Sequence, residues 1–282
     1  MELIDLHCDT PLSRKPVVSG KTLSGIKRAG INFAFCFLKG ESRKVKEAYV
    51  RKFLARVPHF GRSLEYVFSL EGLSAFSGTE EALDFIRTWG IGIVSLVWNR
   101  DNRWAGGCMG KNRGLTAEGR SLIRELNAMD IAVDISHASE RTSEQVFEKA
   151  SVVLATHSNF REVHEHPRNI RKWQAASIKR KGGLIGLNFF LPFLGNGRPL
   201  EDFFRHIDYA LSEGFGECIA IGSDFDGMHK PLIEDPSGLW DLYISVKERY
   251  GKKTADGLFY LNAKRNLKIS KRFAKVRKKS RL

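Results

Sequence analysis

The hydrophobic residues of this chain are concentrated in eight short runs, separated by longer segments that carry most of the charged and polar residues. Short apolar runs bounded by polar or glycine-rich segments are typical of buried β-strands. The predicted strands are Leu3–Leu6, Asn32–Leu38, Tyr66–Leu70, Gly92–Val97, Ile131–Ile135, Val152–Ala155, Gly183–Phe189 and Cys218–Gly222.

Several segments between these runs repeat hydrophobic residues at helical spacing, which predicts helices that bury one face. The three clearest stripes are Val45, Tyr49, Phe53 and Val57; Leu122, Ile123, Leu126 and Met129; and Phe203, Phe204, Ile207 and Leu211. Strands that alternate with helices predict a parallel sheet, and eight such units favour a (β/α)8 TIM barrel. A doubly wound open sheet is the alternative, because periodicity alone does not show that a sheet closes.

Composition limits the class of protein. Hydrophobic residues make up 42% of the 282-residue chain and charged residues 28%, which is typical of a globular protein and excludes a disordered or collagen-like chain. We predict one catalytic barrel over residues 1–262, without a signal peptide or an apolar run that could span a bilayer. The four cysteines form no C-x-x-C pair. These features predict a cytoplasmic protein with reduced thiols.

The formal net charge of +14 is mostly a property of the C-terminus. Residues 263–282 contain ten Lys or Arg and no acidic residue, which leaves 36 basic against 32 acidic residues in the rest of the chain. Ile269, Phe273 and Val276 share a helical face, so this basic tail is predicted to form an exposed amphipathic helix. Contact with an anionic membrane surface or a nucleic acid is the alternative, and no specific nucleic acid is predicted as a partner.

Chemically distinctive side chains follow most of the predicted strands. They are His7, Asp9, Glu71, Trp98, Asn99, Asn102, His137, His157, Asn188 and Asp224. In a parallel barrel the C-terminal ends of the strands share one face, where active sites are built. Imidazole nitrogens and carboxylate oxygens suit Zn²⁺ or a similar divalent ion, and a carboxylate can bridge two ions. The pattern therefore predicts a metal site with one or two ions.

The remaining histidines lack such a pattern. His59, His206 and His229 are predicted to lie on the surface or in packing contacts. His164 and His166 are predicted to be structural residues of a polar loop.

The same residues lie in motifs that resemble those of the membrane dipeptidase (renal dipeptidase) family, peptidase family M19. The matching stretches, in family order, are Asp5-Leu6-His7-Cys8-Asp9-Thr10, Ser69-Leu70-Glu71-Gly72, Gly114-Leu115-Thr116 with Gly119-Arg120, Val133-Asp134-Ile135-Ser136-His137-Ala138-Ser139, Thr156-His157-Ser158-Asn159, His166-Pro167-Arg168-Asn169 and Gly222-Ser223-Asp224-Phe225-Asp226-Gly227. Together these motifs are highly specific, although no single one would be.

The resemblance implies an amidohydrolase-like (β/α)8 barrel with two zinc ions that hydrolyses dipeptides, often with a D-residue at the C-terminal position. It implies that His7 and Asp9 bind one zinc ion and that His137 and His157 bind the other. Glu71 would bridge both ions and orient the attacking hydroxide.

The resemblance also assigns two residues to the substrate. Arg168 would hold its carboxylate with two parallel hydrogen bonds, and Asp224 would act at the reacting centre as a general acid–base group. Dipeptides are therefore the expected partners, and the family resemblance suggests a homodimer.

The sequence departs from the family pattern after the fourth strand. Many members carry a His there that polarises the scissile carbonyl, whereas this chain has Val97-Trp98-Asn99. That role is unfilled or passes to Asn99, which is therefore a candidate substrate-binding residue. The short region between the first and third strands should also alter the substrate pocket.

Two other functions stay open at this point. One is a different binuclear-metal barrel hydrolase, such as a phosphoesterase or a deaminase. The other is a non-catalytic metal-binding barrel that its basic tail recruits to a surface.

Overall fold

The computed structural model describes residues 1–61, 64–266 and 271–272. In these residues eight parallel strands follow one another: β1 (Glu2–Cys8), β2 (Arg28–Phe35), β3 (Leu64–Glu71), β4 (Ile93–Ser95), β5 (Ala132–Asp134), β6 (Val153–Leu154), β7 (Ile185–Leu187) and β8 (Ile219–Ile221). Each overlaps the hydrophobic run that predicted it, so the strand assignment is confirmed.

The strands pair in the order β6, β5, β4, β3, β2, β1, β8, β7. The two ends of this order meet at a parallel bridge between Ala155 and Ile185, where the N–H of Gly186 donates to the carbonyl of Ala155 at 2.7 Å. A Cβ atom on Gly186 would lie 1.9 Å from the carbonyl oxygen of Thr156, so only glycine allows this approach. The predicted barrel is confirmed, and the open sheet is excluded.

Helices cover the outside of the barrel. They are α1 (Arg43–Arg56), α2 (Thr79–Trp89), α3 (Ala117–Ala128), α4 (Glu140–Lys149), α5 (Lys172–Arg180), α6 (Leu191–Leu194), α7 (Pro199–Ser212), α8 (Leu239–Asp256) and α9 (Asn262–Arg265). The side-chain oxygens of Thr116 and Ser139 accept from backbone N–H groups in the first turns of α3 and α4, which fixes where these helices begin.

The buried face of helix α1 matches the predicted stripe only in part. Val45 and Tyr49 of the predicted stripe are 40% and 38% exposed, whereas Lys46 is buried. Lys46 occupies a core position because its Nζ donates to the carbonyl of Ala75 and to Oε1 of Glu81, both at 2.8 Å. The hydrophobic repeat therefore predicted the helix correctly and its buried face only in part, since Phe53 and Val57 are buried.

Residues on both sides of position 262 pack against the barrel. Tyr260 and Ala263 belong to the hydrophobic cluster that includes Ile4 and Val67 of the strands. The buried Arg272 donates from Nη1 to the carbonyl of Gly92, which precedes β4, at 3.2 Å. These residues therefore contact the barrel, although the predicted domain boundary lies at 262.

Ile269, Phe273 and Val276, on which the predicted tail helix depends, lie outside the described residues. Among the helices that the structure does describe, none has an apolar segment long enough to cross a bilayer. The four cysteines are all free.

Candidate active site

Three histidines and one glutamate meet at the C-terminal mouth of the barrel. Glu71 ends β3, and its Oε1 lies 2.7 Å from Nε2 of His137, 3.2 Å from Nε2 of His157 and 3.5 Å from Nε2 of His7. The Nε2 atoms of His137 and His157 are 2.9 Å apart. All four side chains are buried. The structure therefore brings three of the five predicted ligands to one carboxylate oxygen of a fourth, Glu71.

Asp9 and Asp224 extend this cluster from His7. Nε2 of His7 lies 3.6 Å from Oδ2 of Asp9 and 3.9 Å from Oδ1 of Asp224. The ligand atoms of these three residues lie within 4.8 Å of one another, and so do those of His7, Glu71 and His157. His7 belongs to both groups, so the predicted residues form one continuous cluster.

Strand geometry explains how β1 contributes two groups. Side chains two residues apart on a strand point to the same side, so His7 and Asp9 both face the mouth. Cys8 points the other way and is fully buried in the core. Asp224 follows β8 in a left-handed conformation with φ of 64°, which Asp adopts more readily than most residues.

The charges of the cluster shift the pKa values of its members. Burial lowers the pKa of His7, but the carboxylates of Asp9 and Glu71 outweigh it and raise that pKa to about 10. Burial raises the pKa of Glu71, but His137 and His7 outweigh it and hold that pKa well below its usual range. Burial and the charge of Asp9 raise the pKa of Asp224 well above its usual range. The negative charge of Asp9 and Glu71 that stabilises the protonated ring of His7 would also attract a metal cation.

The donor atoms around His7 fit a divalent cation. Ligand atoms about 2.1 Å from one ion at tetrahedral angles lie roughly 3.4 Å apart. The Nε2 atom of His7 is 3.5 Å from the Glu71 oxygen and 3.6 Å from the Asp9 oxygen, close to that spacing. This Nε2 atom is also buried without a hydrogen-bond partner. Buried polar atoms are normally paired, and a bound cation would satisfy this one.

Asn99 lies directly after the fourth strand region and contacts a candidate ligand. Its Oδ1 lies 2.8 Å from Nδ1 of His137. An amide oxygen only accepts, so the Nδ1–H group of the ring donates and Nε2 keeps its lone pair. The structure thus shows Asn99 beside His137, a contact that the sequence did not predict. The preceding residue, Trp98, is 52% exposed, with its ring centroid 6.0 Å from that of His137.

Arg168 is buried beside the histidines. Its Nη2 donates to the carbonyl of His157 at 3.2 Å, and its guanidinium lies 5.4 Å from the ring centroid of Phe193. Its Nη1 is buried without a hydrogen-bond partner. A cavity of about 220 Å³ is lined by Arg168 together with Cys108 and other residues. A buried guanidinium with an unpaired N–H group suits an anionic ligand.

Two further residues support the cluster, although neither has a role predicted from the sequence. Nδ2 of Asn188 donates to Oδ2 of Asp224 at 3.0 Å. Oγ1 of Thr156 lies 2.9 Å from Nδ1 of His157 and 3.2 Å from Nδ1 of His7. Their positions at the ends of strand regions were visible in the sequence, but their contacts depend on barrel closure.

Comparison with known proteins relates these residues to one family. The model of the family described as "Membrane dipeptidase (Peptidase family M19)" matches residues 42–281. This match contains Glu71, His137 and His157 as well as the substrate candidates Arg168 and Asp224. His7 and Asp9 precede the match, so the spatial arrangement is what connects them with the other residues.

Individual proteins show the same relationship. The chain is 33% identical over 221 residues to the "Uncharacterized protein in pqqA 5′ region" of Klebsiella pneumoniae, an alignment that covers 73% of this chain and 82% of the relative. It is 28% identical over 235 residues to an uncharacterized dipeptidase of Schizosaccharomyces pombe, and this alignment covers 79% of the chain but only 55% of the relative. The chain therefore spans about half the length of that yeast relative.

The fold is similar to that of a solved metallopeptidase from Rhodobacter sphaeroides, which is liganded with a phosphinate mimic of the dipeptide L-Ala-D-Ala. The TM-score is 0.83 at 21% identity, over 95% of this chain and 99% of that one. The similarity supports the barrel, and the family match over most of the chain supplies the assignment. This chain belongs to the membrane dipeptidase family, peptidase family M19.

Proposed function

We propose that this protein is a zinc-dependent dipeptidase that hydrolyses dipeptides with a free C-terminal carboxylate. The observation that carries the proposal is the convergence of His7, His137 and His157 on one oxygen of Glu71. The buried Arg168 beside this cluster and the family membership of the chain support it. A phosphoesterase or a deaminase is not favoured by any observed contact.

The metal ligands in this proposal come from four strand ends. His7 and Asp9 would hold one zinc ion, His137 and His157 would hold the second, and Glu71 would be a ligand available to both. Zinc ions bound in this way supply Lewis acidity and lower the pKa of a water molecule towards neutrality.

Asp224 carries the proton for the leaving amine. Asn188 donates to its Oδ2 at 3.0 Å, while Oδ1 faces the cluster at 3.9 Å from Nε2 of His7. The raised pKa of Asp224 favours the protonated carboxyl group, which can act as a general acid. The hydrogen bond from Asn188 holds the carboxyl group with its other oxygen towards the cluster, where a substrate would bind.

Arg168 selects substrates that end at the second residue. Its unpaired Nη1 and its Nη2 can donate together to the two oxygens of a carboxylate, which is a strong and directional contact. Asn99 acts through His137, whose ring it orients. We also propose that D-residues are tolerated at the C-terminal position, as in the L-Ala-D-Ala mimic bound by the Rhodobacter protein.

Metal analysis combined with a substrate screen tests the proposal. The purified protein should contain about two equivalents of zinc and should hydrolyse some L-L or L-D dipeptides, while Glu71→Gln should abolish turnover. Metal-loaded protein that hydrolyses no dipeptide but cleaves phosphoesters or deaminates a base would contradict it. So would a Glu71→Gln variant that keeps most of the activity.

Location and assembly are separate parts of the proposal. We propose a cytoplasmic homodimer, with the basic tail as a candidate contact for anionic membranes. Free cysteines are compatible with a reducing compartment. Cell fractionation, sedimentation analysis and binding to phosphatidylserine vesicles with and without residues 273–282 test these three statements.

A further inference from the structure

We propose that the hydroxyl group of Thr156 fixes the tautomers of His7 and His157 together, and so prepares both halves of the metal site. Thr156 is buried directly before His157, at the bridge between β6 and β7. It is a positioning residue, because its contacts are with ligands and not with a substrate. The inference rests on the proposed function, in which both histidines bind metal.

The direction of the hydrogen bond to Asp134 is set by the surroundings of that carboxylate. Asp134 accepts from the hydroxyl groups of Ser95 and Ser136, both at 2.7 Å, and from the backbone N–H of Thr156 at 2.9 Å. Oγ1 of Thr156 lies 2.9 Å from Oδ2 of Asp134. An ionised carboxylate only accepts, so the single hydroxyl proton of Thr156 points to Asp134.

The oxygen of the Thr156 hydroxyl group also accepts hydrogen bonds from the two imidazole rings. A hydroxyl oxygen has two acceptor positions, and Nδ1 of His157 and Nδ1 of His7 lie 2.9 Å and 3.2 Å away. Both Nδ1 atoms must therefore carry hydrogen and donate. With hydrogen held on Nδ1, Nε2 is the nitrogen of each ring that can bind a cation.

This arrangement joins the two halves of the cluster. His7 belongs to both groups of ligand atoms, the one with Asp9 and Asp224 and the one with Glu71 and His157. The two rings are also close to each other, with centroids 3.7 Å apart. A change at one hydroxyl should thus alter the binding of both ions, unlike a change at a residue that contacts one ligand only.

Zinc affinity, measured by competition with a chromophoric chelator, tests the inference apart from activity. We expect Thr156→Val to weaken both zinc equivalents by about 10- to 100-fold, the usual effect of losing a hydrogen bond to a ligand. Thr156→Ser keeps the hydroxyl group and should bind within about threefold of the wild type. Ser95→Ala is the matched control, because it removes a hydrogen bond to Asp134 without touching a histidine.

Each result has one meaning. Loss of affinity in Thr156→Val, with retention in Thr156→Ser and Ser95→Ala, supports the inference. Unchanged affinity in Thr156→Val, or an equal loss in Ser95→Ala, overturns it and leaves the proposed function intact. A wild-type protein that binds no zinc overturns the proposed metal centre and this inference together. If circular dichroism shows that the valine variant is unfolded, Thr156→Ala repeats the test with the same criteria.

Discussion

A Cβ atom on Gly227 would lie 2.0 Å from Oδ2 of Asp9 and 2.8 Å from Oδ1 of Asp224. Gly227 follows β8 and Asp9 follows β1, so this close contact joins the two neighbouring strand ends of the barrel. The absence of a side chain at position 227 leaves the space that the carboxylate of Asp9 occupies. Gly227 therefore contributes to the candidate metal site without offering a ligand.

Gly227→Ala should displace the carboxylate of Asp9 and leave the fold intact, because the clash involves only the ends of side chains. We expect zinc affinity to fall about tenfold or more, as for other disturbed ligand positions. Isothermal titration with zinc measures the effect. Gly25→Ala is the control, since no atom lies within 4 Å of a Cβ atom there. Equal zinc affinity in the two variants would refute this role of Gly227.

Asn99 should be replaceable by Asp but not by Gly. Asn99 has a φ of 54°, which Asp and Gly both tolerate, but only Asp keeps an acceptor for Nδ1 of His137. We expect Asn99→Gly to lower kcat/KM for dipeptides about 10- to 100-fold and Asn99→Asp to retain most of it. A similar loss of kcat/KM in both variants would show that activity does not depend on a hydrogen-bond acceptor for Nδ1 of His137.

Arg168→Ala should discriminate between dipeptides and dipeptide amides. Loss of a buried contact to a carboxylate costs about 2 to 5 kcal/mol, which corresponds to roughly 30-fold or more in kcat/KM. An amide offers no such partner, so its slow hydrolysis should change little. Arg168→Lys should also lose activity on dipeptides, because an ammonium group cannot form the two parallel hydrogen bonds. Equal losses for acid and amide substrates would remove Arg168 from this role.

Trp98 is exposed at the mouth and should contribute to substrate preference. We expect Trp98→Ala to lower kcat/KM about tenfold for dipeptides with large apolar side chains and to leave Gly-Gly nearly unchanged, because an apolar contact is worth about 1 to 3 kcal/mol. Trp240, exposed on α8, supplies the control variant Trp240→Ala. An equal loss of kcat/KM on Gly-Gly and on dipeptides with large apolar side chains would contradict this role. It would indicate instead that the substitution disturbs His137.

The ion pair between Lys46 and Glu81 should make stability depend on pH in acid. Burial raises the pKa of Glu81, but hydrogen bonds from Lys46 and Ser77 outweigh it and lower the pKa from 4.5 to about 2. A group with a lowered pKa in the folded state stabilises the protein above pH 4.5, and this contribution is lost as the pH falls towards 2.

Glu81→Gln should therefore reduce the free energy of unfolding at pH 7 by about 1 to 3 kcal/mol, since it leaves Lys46 buried without its carboxylate. Below pH 4.5 the difference in the free energy of unfolding between wild type and variant should become smaller. Urea unfolding at pH 7, 4.5 and 3.5 measures this difference. A difference that stays constant over this range would contradict the assignment.

The local sequence was enough to predict much of the fold and of the candidate site. The run at Leu3–Leu6, followed by His7 and Asp9, predicted both a strand and the side to which each polar group points, because strand side chains alternate. Repetition of strand and helix predicted the barrel, and the barrel predicted that histidines from separate strand ends would lie close together. The family resemblance then assigned a role to each of them.

Only the tertiary structure decided the contacts between distant residues. Lys46 lies on the buried face of α1 because Ala75 and Glu81 supply partners, which no helical repeat reveals. Thr156 reaches His7, and Gly227 leaves room for Asp9, only because the sheet closes and brings the ends of the chain together. Periodicity depends on neighbours a few residues apart, whereas hydrogen-bond partners and close approaches depend on where the folded backbone places residues that are far apart in sequence.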